Sequence, residues 1–290
     1  MRECWQKYFF MDDNLCLSEN FDESIFKTDL SLYEVIRVVD KIPVFFETYM
    51  QRLQNSASCT NNIIWLNDAD ILMYIKKLLD VNNLDNGNVK LVFRFGADGS
   101  KSFYCYFNEH YYPTAEQYKH GVGVDFYNAE RTNPNAKIVD KSLRDKTNEL
   151  KNVKHVHEII LVDHDGFISE GSRSNIFFVS NNRLITTPKE NVLPGVTRSI
   201  IIDICKSLNI EIEERRINLT DILMFDAAFL SSTSNKILPI AGWGEKNISV
   251  ENKILQKLMF KFNQTENDYV NVSKKEKYIN INCSSYKRDI

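Results

Sequence analysis

The sequence lacks the features that mark several large classes of protein. Its 290 residues include six scattered cysteines and no CxxC pair, so we expect reduced thiols rather than a disulfide framework or a zinc site. No apolar run approaches the roughly 18 residues that a membrane helix needs. The first residues carry an acid and no apolar core of a signal peptide. We therefore expect a cytoplasmic protein with no metal and no membrane partner.

A strong charge bias and internal repeats are also missing. The formal net charge at pH 7 is -3, which gives no electrostatic reason to expect binding to nucleic acid or to an anionic membrane. What is present is an ordinary globular composition, with 43% hydrophobic and 26% charged residues. The chain is long enough for two modest domains with real cores.

Hydrophobic periodicity predicts an α+β organisation in two blocks. The first block is expected to contain strands and helices, at residues 33–39, 43–46, 89–95 and 102–108 for strands and 47–58 and 68–81 for helices. The second is expected to contain strands at 122–128, 158–162, 175–179, 183–186 and 227–231, and helices at 138–152, 198–208 and 250–262. These blocks suggest a small α+β domain over 1–112, a linker over 113–120 and a larger domain over 121–290. The last 20 or so residues are expected to form a loosely held tail.

The most informative stretch is Glu170-Gly171-Ser172-Arg173-Ser174-Asn175, which is followed at once by an apolar run. A carboxylate at the end of a buried strand needs a partner, because an unpaired buried charge is costly. Two further blocks follow, Thr186-Thr187-Pro188 and Leu193-Pro194-Gly195-Val196-Thr197-Arg198. In this order the three blocks resemble the signature of the fold-type IV pyridoxal-phosphate enzymes. That group contains the branched-chain and D-amino-acid aminotransferases and aminodeoxychorismate lyase.

The resemblance, which covers roughly residues 30–240, implies a fold and an activity. The implied fold is a two-domain fold-type IV enzyme, with a small α+β N-terminal domain and a larger pseudo-barrel C-terminal domain. The implied activity is that of a class IV aminotransferase, which uses pyridoxal 5'-phosphate to move an amino group between an amino acid and a 2-oxo acid. Family members share their active sites between two subunits, so a homodimer is expected.

The resemblance also assigns residues to the cofactor. Glu170 should lie beside the pyridine nitrogen, where a carboxylate favours the protonated ring, and Leu193 should pack on a face of the ring. Backbone N–H groups of Val196 and Thr197, at a helix N-terminus after Gly195, should bind the phosphate. The other phosphate ligands that the resemblance implies are Arg52 and Thr233.

Two lysines are candidates for the Schiff base with the cofactor. Lys137 lies 16 residues after Gly121 and 33 before Glu170, which matches the spacing in the D-amino-acid enzymes better than Lys141 does. Lys141 in turn begins the Lys-Ser-Leu word found around the family lysine. We favour Lys137 on spacing and keep Lys141 as the alternative. If both lay on one helix, they would share a face.

The substrate pocket departs from each branch of the family. The resemblance places Tyr33 and Ser234 in this pocket. The Arg-x-His pair of the D-amino-acid enzymes is reduced to Arg94 without a histidine, and the threonine pair of the lyase is replaced by Glu34 and Val35. These departures favour an aminotransferase and leave its amino acid unassigned. We expect a hydrophobic or small amino acid, because nothing in the sequence demands a large aromatic acid. The alternatives are a lyase of the aminodeoxychorismate type and a catalytically inactive binding protein on the same fold.

Overall fold

The computed structural model describes residues 3–26, 29–244 and 246–285, and within these ranges the strands form two sheets. The strands of the first sheet are β1 (Tyr8–Met11), β2 (Asn14–Leu17), β3 (Leu30–Val39), β4 (Ile42–Pro43), β5 (Gly87–Phe95) and β6 (Lys101–Phe107). Their order is β2-β1-β6-β5-β3-β4, and neighbouring strands are antiparallel. The long pairing of β3 with β5 forms the centre of this sheet.

The second sheet is larger and mixed. Its strands are β7 (Val122–Asn128), β8 (Glu158–Val162), β9 (Phe167–Gly171), β10 (Asn175–Ser180), β11 (Arg183–Thr186), β12 (Ile212–Glu214), β13 (Ile217–Asn218), β14 (Ala227–Ser232), β15 (Lys236–Trp243) and β16 (Lys246–Asn247). They run in the order β12-β11-β10-β14-β15-β7-β8-β9-β13, and β16 pairs with β15. The pairs β7–β8, β7–β15 and β11–β12 are parallel.

Six α-helices occur in the described ranges. They are α1 (Phe46–Cys59), α2 (Asp68–Asn82), α3 (Ala115–His120), α4 (Lys141–Lys154), α5 (Val196–Ser207) and α6 (Lys253–Ser285). The largest apolar core contains Leu32 of β3 and Leu53 of α1 together with Ile201 of α5 and Phe229 of β14. One core therefore joins elements of both sheets. Over the described residues, no helix is long and apolar enough to cross a membrane.

Several predicted elements have different bounds in the structure. The strand expected at 43–46 is wrong beyond Pro43, because Phe45 adopts a left-handed backbone with φ of 57° and Phe46 already begins α1. The linker expected at 113–120 does connect the two sheets, but it contains α3, since Thr114 and Gln117 form a capping box. The domain bounds themselves stay a prediction.

The N- and C-terminal regions contain more regular structure than the sequence indicated. Strands β1 and β2 near the N-terminus have no counterpart among the predicted elements, and the same is true of β9, β12, β13, β15 and β16 in the second sheet. The late helix expected at 250–262 continues to Ser285 as α6. The loosely held tail was expected over this same region, so up to Ser285 the chain is helical instead, and residues 286–290 lie outside the described residues.

Candidate active site

Lys137 lies in the loop between β7 and α4, where backbone hydrogen bonds fix it against the first sheet. The N–H of Tyr33 donates to its carbonyl oxygen at 3.0 Å, and its own N–H donates to Oγ of Ser56 on α1 at 3.1 Å. Helix α4 begins four residues later, because the Asp140 side chain caps it by accepting from the N–H of Leu143. The expectation that Lys137 and Lys141 share a helix face is therefore wrong.

The side chain of Lys137 meets an aromatic ring and other charges. Its Nζ lies 4.6 Å from the centre of the Tyr33 ring. Burial lowers the pKa of Lys137, and the positive charges of Arg52 and Arg131 lower it further, although Tyr33 opposes them. Lys141 instead lines a separate groove of about 650 Å³ at the start of α4. Of the two lysines, the structure places Lys137 among the other residues assigned to the cofactor.

Glu170 is buried near the end of β9 and has the partner that its position requires. Its Oε1 lies 2.8 Å from Nε of Arg131. Its Oε2 accepts hydrogen bonds from Nδ2 of Asn175 and from the N–H of Leu193, each at 3.2 Å. Burial raises the pKa of Glu170, and the charges of Arg131 and Lys137 oppose that rise. The carboxylate is thus held in one orientation, and its contact with Leu193 fixes the following loop.

Arg52 forms a buried ion pair that the sequence did not indicate. Its Nε and Nη2 donate to the two carboxylate oxygens of Glu34, with the Nε–Oε1 distance at 2.8 Å. Two of its five N–H donors are thereby used. The guanidinium lies 5.3 Å from the centre of the Tyr49 ring, and the Tyr49 hydroxyl lies 2.8 Å from Oγ1 of Thr233. The structure therefore brings Thr233 and Arg52 to the same aromatic side chain.

The N-terminus of α5 presents free backbone donors. The helix begins at Val196, two residues before the predicted start, and Gly195 at its N-cap has no capping side chain. The first helical hydrogen bond in this turn runs from the N–H of Ser199 to Gly195, so the N–H groups of Val196 and Thr197 have no backbone acceptor among the described residues. Both residues are buried. Such an N-terminus suits an anion.

Gly195 is also required by close packing. A Cβ at this position would collide with Oδ1 of Asn175, whose Nδ2 group already donates to Glu170 and to the carbonyl oxygen of Leu193 at 2.9 Å. Asn175 therefore connects the buried carboxylate to the turn that opens α5. The sequence singled out Asn175 only as part of its block, with no role assigned.

Ser234 is held on the side of β5. Its Oγ accepts a hydrogen bond from Nδ2 of Asn88 at 2.8 Å, and Oδ1 of Asn88 accepts from the hydroxyl of Tyr112 at 2.9 Å. Its hydroxyl is thus directed to a polar network between β5 and the loop after β14. A substrate role for Ser234 stays a prediction.

Two basic residues near Tyr33 were missed by sequence reasoning. Arg144 Nη2 donates to the Tyr33 hydroxyl at 3.1 Å, and Nζ of Lys90 lies 4.8 Å from the ring centre. Lys90 is buried within β5, and a lysine inside an apolar strand is a signal that could have found it. Arg144 gave no such signal, because it lies among other charged residues of α4.

The residues of this site fit a cofactor that carries a phosphate and reacts with an amine. The buried, uncapped N-terminus of α5 supplies anion donors, Arg52 keeps three N–H donors beyond its pair with Glu34, and Lys137 supplies an amine whose pKa is lowered. In addition, Oγ of Ser231 is buried with no hydrogen-bond partner in the structure as described. No group of three or more metal-ligating side chains occurs within the described ranges.

Comparison with known proteins places this site in a family. The family model for amino-transferase class IV matches residues 31–243, well over half of the chain. The chain belongs to the class IV aminotransferase family. This aminotransferase is 27% identical to the branched-chain-amino-acid aminotransferase of Escherichia coli K12 over 233 residues. The aligned residues cover 72% of this chain and 75% of that protein.

Other relatives of this aminotransferase extend the comparison. The D-alanine aminotransferase of Bacillus licheniformis is 22% identical over 223 residues, which cover 72% of this chain and 75% of that protein. The fold matches the branched-chain amino acid aminotransferase of Thermobaculum terrenum in its PLP-bound form, with a TM-score of 0.75 and 18% identity over 91% of this chain and 94% of that one. The family and the α+β, two-domain fold class predicted from the three blocks are confirmed. The protein is a class IV aminotransferase that depends on pyridoxal phosphate.

Proposed function

We propose that this aminotransferase holds pyridoxal 5'-phosphate at Lys137 and exchanges an amino group between a hydrophobic or small amino acid and a 2-oxo acid. The observation that carries the proposal is the position of the Lys137 amine, 4.6 Å from the Tyr33 ring centre with its pKa lowered by burial. A lysine with a lowered pKa is an effective nucleophile and base near neutral pH. The cofactor, when bound, supplies the electron sink for the substrate.

The remaining cofactor contacts rest on the family resemblance, and the geometry of the site supports them. Glu170, fixed by Arg131, would hold the pyridine nitrogen of the cofactor and favour its protonated form, and Leu193 would pack on a face of the ring. For the phosphate, the backbone donors of α5 act with a guanidinium and a hydroxyl. These phosphate ligands are Arg52, Val196, Thr197 and Thr233. The support is the buried, uncapped start of α5 and the shared contact of Arg52 and Thr233 with Tyr49.

Proton transfer is assigned to Lys137. With cofactor and substrate bound, the Nζ of Lys137, as a neutral amine, would be the base that takes the proton from the substrate α-carbon and the acid that returns it to the cofactor. Tyr33 borders the substrate beside this amine, and Ser234 borders it from the loop after β14. Both substrate contacts rest on the family resemblance and on the placement of Tyr33 against Lys137.

The proposal includes a homodimer in the cytoplasm, with domain bounds of 1–112 and 121–290 and a linker at 113–120. The dimer rests on the family resemblance and on exposed apolar side chains of the β1–β2 hairpin, namely Met11, Leu15 and Leu17. Light scattering at working concentration tests it. A monomer would remove the shared active site from the proposal.

A panel of L- and D-amino acids with pyruvate and 2-oxoglutarate tests the reaction. We expect transamination of hydrophobic or small amino acids. Release of pyruvate from aminodeoxychorismate, with no transamination of any pair, would instead make the protein a lyase. A purified protein that stays colourless after pyridoxal phosphate is added would make it a binding protein, because the lysine-bound cofactor absorbs near the visible range.

A further inference from the structure

Three basic side chains surround the Tyr33 ring. The Nη2 of Arg144 donates to the Tyr33 hydroxyl at 3.1 Å, and its guanidinium carbon lies 5.5 Å from the ring centre. The ammonium groups of Lys137 and Lys90 lie 4.6 and 4.8 Å from the same centre. Lys90 belongs to β5, Arg144 to α4 and Lys137 to the loop before α4, so three separate segments bring positive charge to the Tyr33 ring of β3.

The charges at this point are only partly compensated. Lys90 is paired with Glu3, which also accepts from the Tyr106 hydroxyl. Arg144 and Lys137 form no close ion pair with a carboxylate among the residues that the structure describes, and the negative groups that act on Arg144 are Tyr33 and the more distant Glu3. The Arg173 guanidinium likewise forms no close ion pair among these described residues, and its Nη2 donates to Oδ1 of Asn148 at 2.9 Å.

Like charges that lie near each other without a counter-ion favour the binding of an anion. Burial lowers the pKa of Arg173, and the charge of Arg144 lowers it further. Burial would raise the pKa of Tyr33, but the positive charges around it, Lys137 first, reduce it to about 6. The effect of these cations on an anion is visible at the Glu3 carboxylate. Burial raises its pKa, but the charges of Lys90 and Arg144 lower the pKa to about 2.

The family position for carboxylate binding is already engaged in this chain. Arg94, which has no histidine two residues after it, forms an ion pair with Asp29. A substrate carboxylate therefore needs another cation. Arg144 is placed for this, because it contacts Tyr33 and the reacting amine of Lys137 lies against the same ring.

We infer that Arg144, which Tyr33 holds in place, binds the α-carboxylate of the substrate, the carboxylate next to the reacting carbon. The Tyr33 oxygen accepts from one N–H group of Arg144, and the remaining N–H groups of the guanidinium donate to the carboxylate. The carboxylate lies within a few atoms of Lys137, as the group bonded to the α-carbon must. The inference rests on the proposed function, in which Lys137 reacts at that carbon.

The test is Arg144→Gln in the full-length holoenzyme. Loss of a charge-assisted contact should raise KM for 2-oxo acids by about ten- to a hundredfold, with a smaller change in kcat. Because every substrate carries the α-carboxylate, pyruvate and 2-oxoglutarate should be affected alike. Arg144→Lys should recover part of the loss. Lys146→Gln, which removes an exposed charge from the same helix, should behave as wild type.

A binding measurement separates this inference from the proposed function. Calorimetry with 4-methylpentanoate, a carboxylate that cannot react, should show weaker binding to Arg144→Gln even if no transamination is found for the wild type. A KM rise for 2-oxoglutarate alone would overturn the inference, because Arg144 would then bind a side-chain carboxylate. Unchanged KM and unchanged 4-methylpentanoate binding would also overturn it. Near-visible absorbance of the bound cofactor should persist in the variant.

Discussion

Charges on two sides of the active site are arranged differently. On one side Arg52 is buried against Glu34, and Arg131 lies against Glu170, so each cation has a carboxylate. On the other side Arg144 donates to the Tyr33 hydroxyl and feels the charge of Glu3, but it forms no close ion pair with a carboxylate among the described residues. Removing one member of a buried pair is costly, because the other charge is left unpaired, by about 3–5 kcal/mol. The paired arginines are therefore stabilised without a bound ligand. Arg144, on the unpaired side, is the cation that a substrate anion would stabilise most.

The largest effect is expected from the amine between the two sides. Lys137→Ala should lower turnover by about 10⁴-fold or more, because it removes the proton carrier together with the attachment point for the cofactor. Near-visible absorbance should be lost as well. Lys141→Ala serves as the control and should keep both. If borohydride reduction and peptide mapping put the label on Lys141, the assignment is wrong.

On the paired side, Glu170→Gln should lower kcat by about 10- to 100-fold, since a neutral amide cannot hold the ring nitrogen protonated in a buried site. The variant should still bind cofactor through its phosphate. It also leaves Arg131 without its carboxylate, so its thermal midpoint should fall. Adding Arg131→Gln should restore the midpoint and leave kcat low; recovery of kcat in the double variant would assign Glu170 a purely structural role.

Arg52→Ala should weaken binding of pyridoxal phosphate by about ten- to a hundredfold, as expected for loss of a charged hydrogen bond worth about 1.5–3 kcal/mol. Titration of the apoenzyme, followed by absorbance, measures this. Arg183→Ala removes an exposed arginine paired with Glu211 and should have no effect. Undiminished affinity in Arg52→Ala would mean that the guanidinium serves Glu34 alone.

The smallest effect concerns the titration of Tyr33 on the unpaired side. The protein without substrate should show one phenol that loses its proton near pH 6, because nearby cations favour the phenolate. Ultraviolet difference absorbance of the phenolate measures it, and Tyr33→Phe should remove the transition. In Arg144→Gln the midpoint should move up toward the ordinary value of about 10. An unmoved midpoint would show that Arg144 contributes little to the local potential.

The sequence predicted the local features of the site well, because each depends on residues close together in the chain. The start of α5 after Gly195 was predicted to within two residues. Glu170 was predicted to need a partner, and in the structure that partner is Arg131. The shared helix face of Lys137 and Lys141 was predicted wrongly. The apolar pattern did not indicate that Asp140 caps α4, although this cap decides where the helix begins.

By itself the sequence determined the family, through three ordered blocks, and most strands, through their apolar patterns. The tertiary structure decided which charges face each other. Arg52 meets Glu34 across 18 residues of sequence and Arg144 meets Tyr33 across 111. Such contacts are set by the approach of α1, α4 and β3 in space, whereas motifs act through neighbours along the chain. The spacing along the sequence could therefore indicate Lys137 as the candidate lysine. Only the packing of the loop before α4 against β3 places its amine beside the Tyr33 ring.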